Sequence, residues 1–495
     1  MHLQRPHALT LRQRWTLFAL LALFFLFFAA ISLVNHYLFR TFGWDLGYFN
    51  MAVFDYSELR HSRYDIYWTG LDYTMGDHFE PIMVLIAPFR YLFGQYTLLL
   101  VQIGAVLFGG YGAFTFVRHR TENPWLPHIA LFHYLAIFGV SSALAFDYHN
   151  NVVGAMFLPW FLHYFGQERF RNAFLFLLLL CMSKENMALW AFFIAGGVGI
   201  GSLRNRRKLF WAVGLAGFAL VYFVVTMKVI IPAFQPEDFE YVHFRYSALG
   251  ADFGEALRTV FTRPGHVFKL LYENHYPDQP WLDGIKPELY RMMFYAGGIA
   301  LLLRPQYLIM ALPIIGQKVF SDKGGAWGIH SHYSIELVPL LSIAVCHVLL
   351  DLRLRVLQNA LAVLVAVSTI ASNLYSFSHR LKPFGKPENI DLFSEAHWLP
   401  YPGVNLHHIH EALALIPPDV PVSASNTIVS HLTMRDQAYM FPRIENAEYI
   451  ILLRDIIVYP ENKEQQAERI QDLRTSGEWE VIYEQGKMIV LRRKG

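Results

Sequence analysis

Long apolar runs recur through the first three quarters of the chain, separated by short polar or charged segments. A straight transmembrane helix needs about 20 apolar residues, and on that basis the runs predict an all-α polytopic membrane protein with about eleven spans. The predicted spans are 15–38, 95–117, 125–146, 151–166, 170–183, 187–203, 209–231, 288–303, 305–320, 333–350 and 355–376. Several of them are short, and we expect those to be tilted, broken or partly re-entrant.

The hydrophobic pattern changes near Ser378, where ordinary polarity replaces the apolar runs. Alternating runs at Tyr449–Leu453 and Trp479–Tyr483 predict strands, and Lys463–Leu473 predicts a helix. The pattern therefore divides the chain into a membrane domain, residues 1–377, and a small soluble α/β domain, residues 378–495. The membrane domain carries two long outer loops, 40–94 and 232–287.

Lysine and arginine clusters beside the spans predict the orientation of the chain. The clusters are Arg5 with Arg12 and Arg14, Arg118 to Arg120, Arg169 with Arg171, Arg204 to Lys208, Arg304, and Arg353 with Arg355. Counted along alternating spans, all of them fall on one face, which the positive-inside rule makes cytoplasmic. We expect a multi-pass protein of the cytoplasmic membrane, with the N-terminus inside and the C-terminal domain outside.

The composition agrees with a membrane protein and excludes other classes. Charged residues make up 16% of the chain, against about 25% in soluble domains. The formal net charge is +2 and no strongly basic domain stands out, which argues against a nucleic-acid partner. Cys181 and Cys346 both lie in apolar stretches, so they predict neither a disulfide framework nor a metal cluster.

Polar residues that could carry chemistry gather in five motifs on the predicted outer face. The motifs are Trp44–Asn50, Gly76–Pro81, Phe146–Asn151, Ser183–Asn186 and Gly328–Ser334. Their candidate residues are Asp45, His78, Glu80, Asp147, His149, Lys184, Glu185, His330 and His332. Solvated loop residues would have no reason to avoid the other face, so this concentration predicts a catalytic or binding cavity at the outer leaflet.

Each motif also allows a plainer interpretation. Lys184 and Glu185 interrupt an apolar stretch, where ionisable groups are costly and normally paired or functional; the alternative is a solvated ion pair in a short loop. Asp45 could act as a general base or hold a divalent cation, or it could cap a helix N-terminus. His78 and Glu80 could be metal ligands, or a base and its orienting partner, or ordinary loop residues.

The order of the motifs resembles that of a known protein family. WDLGYFN, GDHFEP, FDYHNN, SKEN and HYSIELVP follow one another as in a family of predicted multipass membrane proteins of unknown function (DUF type), and tail segments 416–425 and 431–442 fit as well. That family is usually placed with the GT-C glycosyltransferases, polytopic enzymes that use polyprenyl-phosphate sugars. The resemblance covers nearly the whole chain and implies a GT-C-like fold.

The resemblance also implies a reaction at the cell envelope. A GT-C enzyme has an acidic residue in its first outer loop as base or metal ligand, which matches Asp45, with His78 or Glu80 as a second group. The sequence lacks an adjacent acidic pair there, so metal use stays open; the cation would be Mg²⁺ or Mn²⁺, held by Asp45 and His78. The implied mechanism is an inverting single displacement on a lipid-linked donor, with an unspecified acceptor.

The departing phosphate needs positive charge or hydrogen-bond donors. The resemblance implies that Lys184, Arg245 or a histidine supplies them. The wider set expected to bind donor phosphate or substrate is Lys184, Glu185, Asp147, His149, Arg245, His330 and His332.

Two other functions compete with the transferase. A transporter or lipid flippase would carry ionisable residues near the bilayer midplane, on discontinuous helices within inverted repeats. The sequence shows one interrupted helix and no internal repeat, which disfavours transport. A receptor or scaffold working through its C-terminal domain would leave the interruption at Ser183–Asn186 unexplained.

Overall fold

The computed structural model describes residues 8–237, 239, 244–382 and 389–494, so Arg5 of the first basic cluster lies outside the described residues. The chain divides into two compact units. The first consists of Met1–Phe28, Gln102–Val229 and Glu240–Asp391, and the second of Ala29–Val101, Ile230–Phe239 and Leu392–Gly495. Each unit therefore contains segments that are distant in sequence.

Helices make up most of the described chain. The α-helices are Leu11–Tyr37, Tyr48–Ser57, Ile82–Ile86, Arg90–Phe93, Thr97–Arg118, Leu126–Ala136, Phe138–Leu144, Asn150–Ala155, Leu158–Gly166, Phe170–Cys181, Glu185–Ile200, Arg206–Val225, Ile231–Ala233, Phe253–Thr262, Pro264–Leu270, Ile285–Tyr295, Ile299–Leu303, Pro305–Val319, Leu337–Leu350, Arg355–His379, Glu395–Trp398, Leu406–Ala414, Asn426–Val429 and Lys463–Thr475. Short 3₁₀ or π turns are Gly43–Gly47, Thr74–Gly76, Ala87–Phe89, Gly94–Tyr96, Thr226–Ile230, Pro280–Leu282 and Gly324–Ala326.

Four helical segments of the described chain are long and apolar enough to cross a membrane. They are Leu11–Tyr37, Ile82–Arg118, Arg206–Ala233 and Arg355–His379. A fifth span is possible if Leu126–Ala136 and Phe138–Leu144, which meet at 47°, count as one. The extended backbone of Ile137 produces this break.

The prediction of eleven spans is wrong for the part of the chain that the structure describes. Five predicted spans coincide with the segments above, whereas the runs 151–166, 170–183, 187–203, 288–303, 305–320 and 333–350 contain only shorter helices. The reason is that polar or conformationally unfavourable residues end these helices early. For example, helix Ile299–Leu303 ends before Arg304, and a new helix begins at Pro305. Proline cannot continue a helix that precedes it, so the two helices are separate.

The second unit contains the predicted small sheet. Its strands are β1 (Val422–Ala424), β2 (Ala438–Met440), β3 (Tyr449–Leu453), β4 (Trp479–Gln485) and β5 (Met488–Arg493), in the order β2-β1-β3-β5-β4. β1 runs parallel to β2 and β3, whereas β5 is antiparallel to β3 and β4. The sheet buries Ile450, Leu491 and Trp479 against Ile470 and Leu473 of helix Lys463–Thr475.

Hydrogen bonds fasten the sheet to the segment that follows the first long helix. The backbone N–H of Met440 in β2 donates to the carbonyl of Ile66 at 2.7 Å. The N–H of Gly43 donates to Asn426 Oδ1 at 2.9 Å. Because the first outer loop and the tail share these bonds, they form one compact unit; a separately folding domain that begins at residue 378 stays a prediction.

Candidate functional site

Asp45 lies in the helical turn Gly43–Gly47 of the second unit, immediately before helix Tyr48–Ser57. The cap positions of these two elements are Phe42 and Gly47, and neither has a side-chain capping bond. The alternative interpretation of Asp45 as a helix N-cap is therefore wrong. Asp45 is half-buried.

A pair of buried tyrosines stands beside Asp45 and Asp77. The Tyr64 hydroxyl donates to Asp77 Oδ2 at 2.9 Å and shares a second bond of 2.9 Å with the Tyr67 hydroxyl. Burial raises the pKa of Tyr67 far above its usual range, and the charges of Asp77 and Asp45 raise it further. Burial also raises the pKa of Tyr64 well above its usual value, so both phenols stay protonated at neutral pH. Because Tyr64 donates its one hydroxyl proton to Asp77, Tyr67 is the donor in the bond between the two tyrosines.

The predicted residue Glu80 belongs to the same acidic surroundings. It is buried, and its charge adds to the effect of burial in raising the pKa of Tyr48 well above its usual range. The pKa of Tyr56 rises to about 12, mainly through burial and in part through Glu80. We refer to Asp45, Asp77 and Glu80 as the first-loop acid cluster; His78 lies beside two of its members in sequence and is half-buried.

Aromatic rings border the first-loop acid cluster. The ring centroid of Trp44 lies 3.7 Å from that of Tyr67 and 5.5 Å from that of Tyr459. Tyr459 comes from the tail and is 49% exposed. Aromatic faces of this kind can pack on the apolar face of a sugar ring while their polar atoms form hydrogen bonds.

The structure shows no cluster of metal ligands larger than the predicted pair, Asp45 and His78, among the residues that it describes. Among the described residues, no group of three or more histidine, cysteine, aspartate or glutamate side chains is arranged to hold a metal ion. Asp45 and His78 as the ligands of Mg²⁺ or Mn²⁺ therefore remain a prediction from the sequence.

The first unit brings together a second set of predicted residues. The imidazole rings of His149 and His332 are stacked, with centroids 3.5 Å apart and planes at 21°. Both side chains are buried or nearly so. Burial lowers the pKa of His332 well below its usual value, and the nearby charges of His149, Lys184, Lys323 and Lys318 act in the same direction. His332 is therefore neutral at pH 7, so one of its ring nitrogens can donate a hydrogen bond and the other can accept one.

The break between helices Phe170–Cys181 and Glu185–Ile200 positions Lys184 in this set. The backbone of Lys184 is extended, and Glu185 is buried at the start of the second helix. This confirms the expected interruption at Ser183–Asn186. Lys184 acts on the pKa of His332, so the broken helix and the stacked histidines are electrostatically coupled.

Gln102 fixes the turn that carries Asp147 and His149. Its amide nitrogen donates to the carbonyl of Asp147 at 2.9 Å, and its amide oxygen accepts the N–H of His149 at 2.9 Å. Asp147 itself adopts a positive φ of 32°, which a side-chain bracket of this kind can stabilise.

Lys318 fixes the neighbouring turn that carries His330 and His332. Its ammonium group donates to the carbonyls of Ala326 and Gly328 at 2.8 Å and to that of Tyr333 at 3.0 Å. The turn therefore closes around the buried Lys318 side chain, which links the backbone on both sides of His330 and His332.

Glu336 ends the turn at the start of helix Leu337–Leu350. It is buried, and its Oε1 accepts a bond of 2.7 Å from Asn151 Nδ2. The turn is linked to helix Ile285–Tyr295 as well, because His330 Nε2 lies 4.0 Å from Glu288 Oε2. The predicted residue Arg245 is exposed, and its backbone carbonyl accepts the N–H of Asp322.

Several residues of these sets escaped the sequence analysis. They are Asp77, Tyr64, Tyr67, Asn151, Lys318 and Glu336. Two signals could have found some of them. Asp77 and Glu336 stand inside motifs already singled out, and Lys318 is a charge within an apolar run, which normally indicates a partner or a function.

Comparison with known proteins gives a family and a fold. A family model described as predicted membrane protein (DUF2079) matches residues 35–490, which confirms the family expected from the motif order. The crystal structure of ArnT from Cupriavidus metallidurans bound to undecaprenyl phosphate is similar, with a TM-score of 0.52 and 13% identity over 96% of this chain and 97% of that one. The apo structure of ArnT gives a TM-score of 0.50 at 13% identity, over 94% and 96%. No curated protein matches.

Proposed function

We propose, from the premise that this chain belongs to the predicted membrane protein family DUF2079, that it is a GT-C-type glycosyltransferase of the cytoplasmic membrane. Its donor would be a sugar linked to polyprenyl phosphate. One observation carries the proposal: nearly the whole chain shares its fold with ArnT, which was crystallised with undecaprenyl phosphate. The concentration of carboxylates, histidines and one lysine in five motifs supports it.

Asp45 is the proposed base. Its carboxylate accepts the proton of the acceptor hydroxyl while that oxygen attacks the anomeric carbon of the donor sugar. The bond between this carbon and the phosphate oxygen breaks, and polyprenyl phosphate leaves with the electron pair. A single displacement of this kind inverts the configuration at the anomeric carbon. If a divalent cation takes part, Asp45 and His78 are its proposed ligands.

Lys184 is the proposed partner of the donor phosphate. Its positive charge would stabilise the negative charge that develops on the leaving oxygen. His332 is neutral at pH 7 because burial and nearby positive charges lower its pKa, so its role would be hydrogen bonding. The stacked His149 would fix the orientation of that ring.

Replacing Lys184 by methionine is expected to weaken phosphate binding about 10-fold or more. A hydrogen bond to a charged group contributes about 1.5–3 kcal/mol, and about 1.4 kcal/mol corresponds to a tenfold change in Kd. The measurement is the Kd of undecaprenyl phosphate for the purified full-length protein. Lys228→Met is the matched control, because Lys228 is an exposed lysine near the end of the spanning segment Arg206–Ala233. An unchanged Kd in Lys184→Met would remove Lys184 from the phosphate site.

The orientation of the chain can be tested independently of catalysis. We expect the C-terminus at Gly495 to lie outside the cytoplasm and the basic segment Arg204–Lys208 to lie inside, because of the positions of the lysine and arginine clusters. The long segments alone do not give both locations, so this orientation also requires that one or more of the shorter apolar helices cross the membrane; these are Phe170–Cys181, Glu185–Ile200 and Leu337–Leu350. An alkaline phosphatase fused after Gly495 should be active, and the same enzyme inserted after Arg207 should be inactive. Activity only in the second fusion would contradict the orientation and the outer location of the site.

The alternative function is a transporter or lipid flippase, and one observation favours it. Glu336 and Lys318 are buried ionisable residues, and Glu336 interacts electrostatically with Lys184 at the interrupted helix. Secondary transporters bind substrates and ions with such residues on broken helices. Transport requires a sealed membrane, whereas glycosyl transfer does not.

The two functions separate in detergent. Purified full-length protein in micelles is given a radiolabelled polyprenyl-phosphate sugar, with or without a lipid and glycan extract of the cell envelope. Glycosyl transfer predicts loss of label from the donor only when the extract is present. No release in micelles, together with movement of the intact donor across sealed vesicles, would favour the flippase.

A further inference from the structure

A helical segment of the first unit has apolar side chains on two sides. It consists of helices Phe253–Thr262 and Pro264–Leu270. On the inner side, Ala256 and Leu270 are buried in a small cluster with Leu249. The outer side of an ordinary water-exposed loop helix would be polar, because one apolar stripe is enough to pack it on the protein.

The outer side of the first helix is instead apolar. Phe253 is 68% exposed, Leu257 48%, Val260 37% and Phe261 76%. Their spacing of four, seven and eight residues puts them on one face of a helix. Arg258 lies about 100° around the helix from Leu257, on the polar side that also carries Glu255.

Exposed aromatic residues continue this surface beyond the first helix. Phe268, Tyr272 and Trp281 are all exposed, and the rings of Phe268 and Tyr272 lie 5.7 Å apart. Tyrosine and tryptophan are enriched where a protein crosses the membrane–water interface. Helix Phe253–Thr262 has 10 residues, half of the roughly 20 that a span requires.

We propose that residues 253–272 form an interfacial anchor that lies along the bilayer surface, with Phe253, Leu257 and Phe261 inserted at the boundary of the lipid acyl chains. The inner side would remain on the protein while the outer side enters the lipid. This location does not depend on the proposed reaction.

Charge and connectivity favour a lipid surface over another protein. Arg258, Arg263 and Lys269 are exposed along the segment, and basic residues on the polar side of such helices are attracted to anionic headgroups. The spanning segment Arg206–Ala233 precedes the first helix by only 19 residues. The bond from Lys286 Nζ to the carbonyl of Leu270 at 2.6 Å holds the second helix from its other end.

The test uses the full-length protein in vesicles of phosphatidylethanolamine and phosphatidylglycerol. Cys181 and Cys346 are buried, so one introduced surface cysteine can be labelled with an environment-sensitive fluorophore. Phe261→Cys probes the apolar face and Arg258→Cys is its matched control three positions away. Doxyl-labelled lipid quenches labels in the membrane, and iodide quenches labels in water.

The label at position 261 should be quenched at least about twofold more by doxyl lipid than the label at position 258, and iodide should give the reverse order. Phe253→Cys provides a second apolar site in case the first variant does not fold. Equal quenching of both positions by iodide would overturn the proposal. So would protection of position 261 from both quenchers, because that result would mean that protein covers this face.

Discussion

Replacing Asp45 by asparagine is expected to lower the rate of sugar transfer by about 10²-fold or more, the scale of losing general base catalysis, while the protein still folds. Asparagine has nearly the same size and shape as aspartate. Asp45 stands at neither N-cap position of the two helical elements around it, so the amide is not expected to weaken a helix cap. Initial rates of label transfer from a polyprenyl-phosphate sugar, with thermal unfolding measured in parallel, test the expectation.

Asp72→Asn is the matched control for Asp45→Asn. Asp72 belongs to the same outer loop and is exposed, and its backbone carbonyl accepts the N–H of Tyr64. Its rate should equal that of the parent. An Asp45→Asn protein that transfers sugar at close to the parent rate would end the case for Asp45 as base or metal ligand.

Replacing Lys318 by methionine is expected to lower the free energy of unfolding by about 3 kcal/mol or more. Lys318 donates to three carbonyls of one turn, and Ala326 and Gly328 contribute the two most deeply buried of these. A buried acceptor left without a donor costs about 1–3 kcal/mol. Thermal unfolding of the purified protein in detergent measures the loss.

The turn held by Lys318 also carries His330 and His332, so the fraction of Lys318→Met that folds should bind undecaprenyl phosphate less tightly. Lys323→Met is the control, since Lys323 is an exposed lysine five positions away whose ammonium group donates to the Tyr333 hydroxyl. Equal melting temperatures for the two variants would show that Lys318 does not support this turn.

The order of apolar and polar residues along the chain predicted two features, the strands of the tail and the membrane class. A short apolar run found β3, in which the four residues from Ile450 to Leu453 are all buried. Alternation of apolar and polar residues found most of β4, because side chains along a strand point to opposite faces in turn. Apolar runs found the membrane class. They did not find where helices stop, because an apolar run looks the same whether its backbone is continuous or breaks, as it does at Ile137.

Contacts between distant segments left no signal in the sequence. Asn151 and Glu336 are 185 positions apart and bond side chain to side chain, and His149 stacks on His332. The motifs in the sequence contain these residues, but nothing in the sequence indicates that the two members of each pair are in contact. Asp77 was missed for a similar reason. Its hydrogen bond with Tyr64 forms only when the first outer loop is folded, and the sequence does not show how that loop folds.

The bonds between the first outer loop and the tail also set an order of events during synthesis. Gly43 leaves the ribosome 383 residues before Asn426, the side chain that accepts its N–H. At about 5–20 residues per second, translation of the intervening chain takes roughly 20–80 s. Throughout that interval the turn that carries Asp45 lacks the sheet it packs on. The nascent loop must therefore stay soluble and uncleaved until the last part of the chain arrives, and a truncated chain would leave its acidic residues without their structural support.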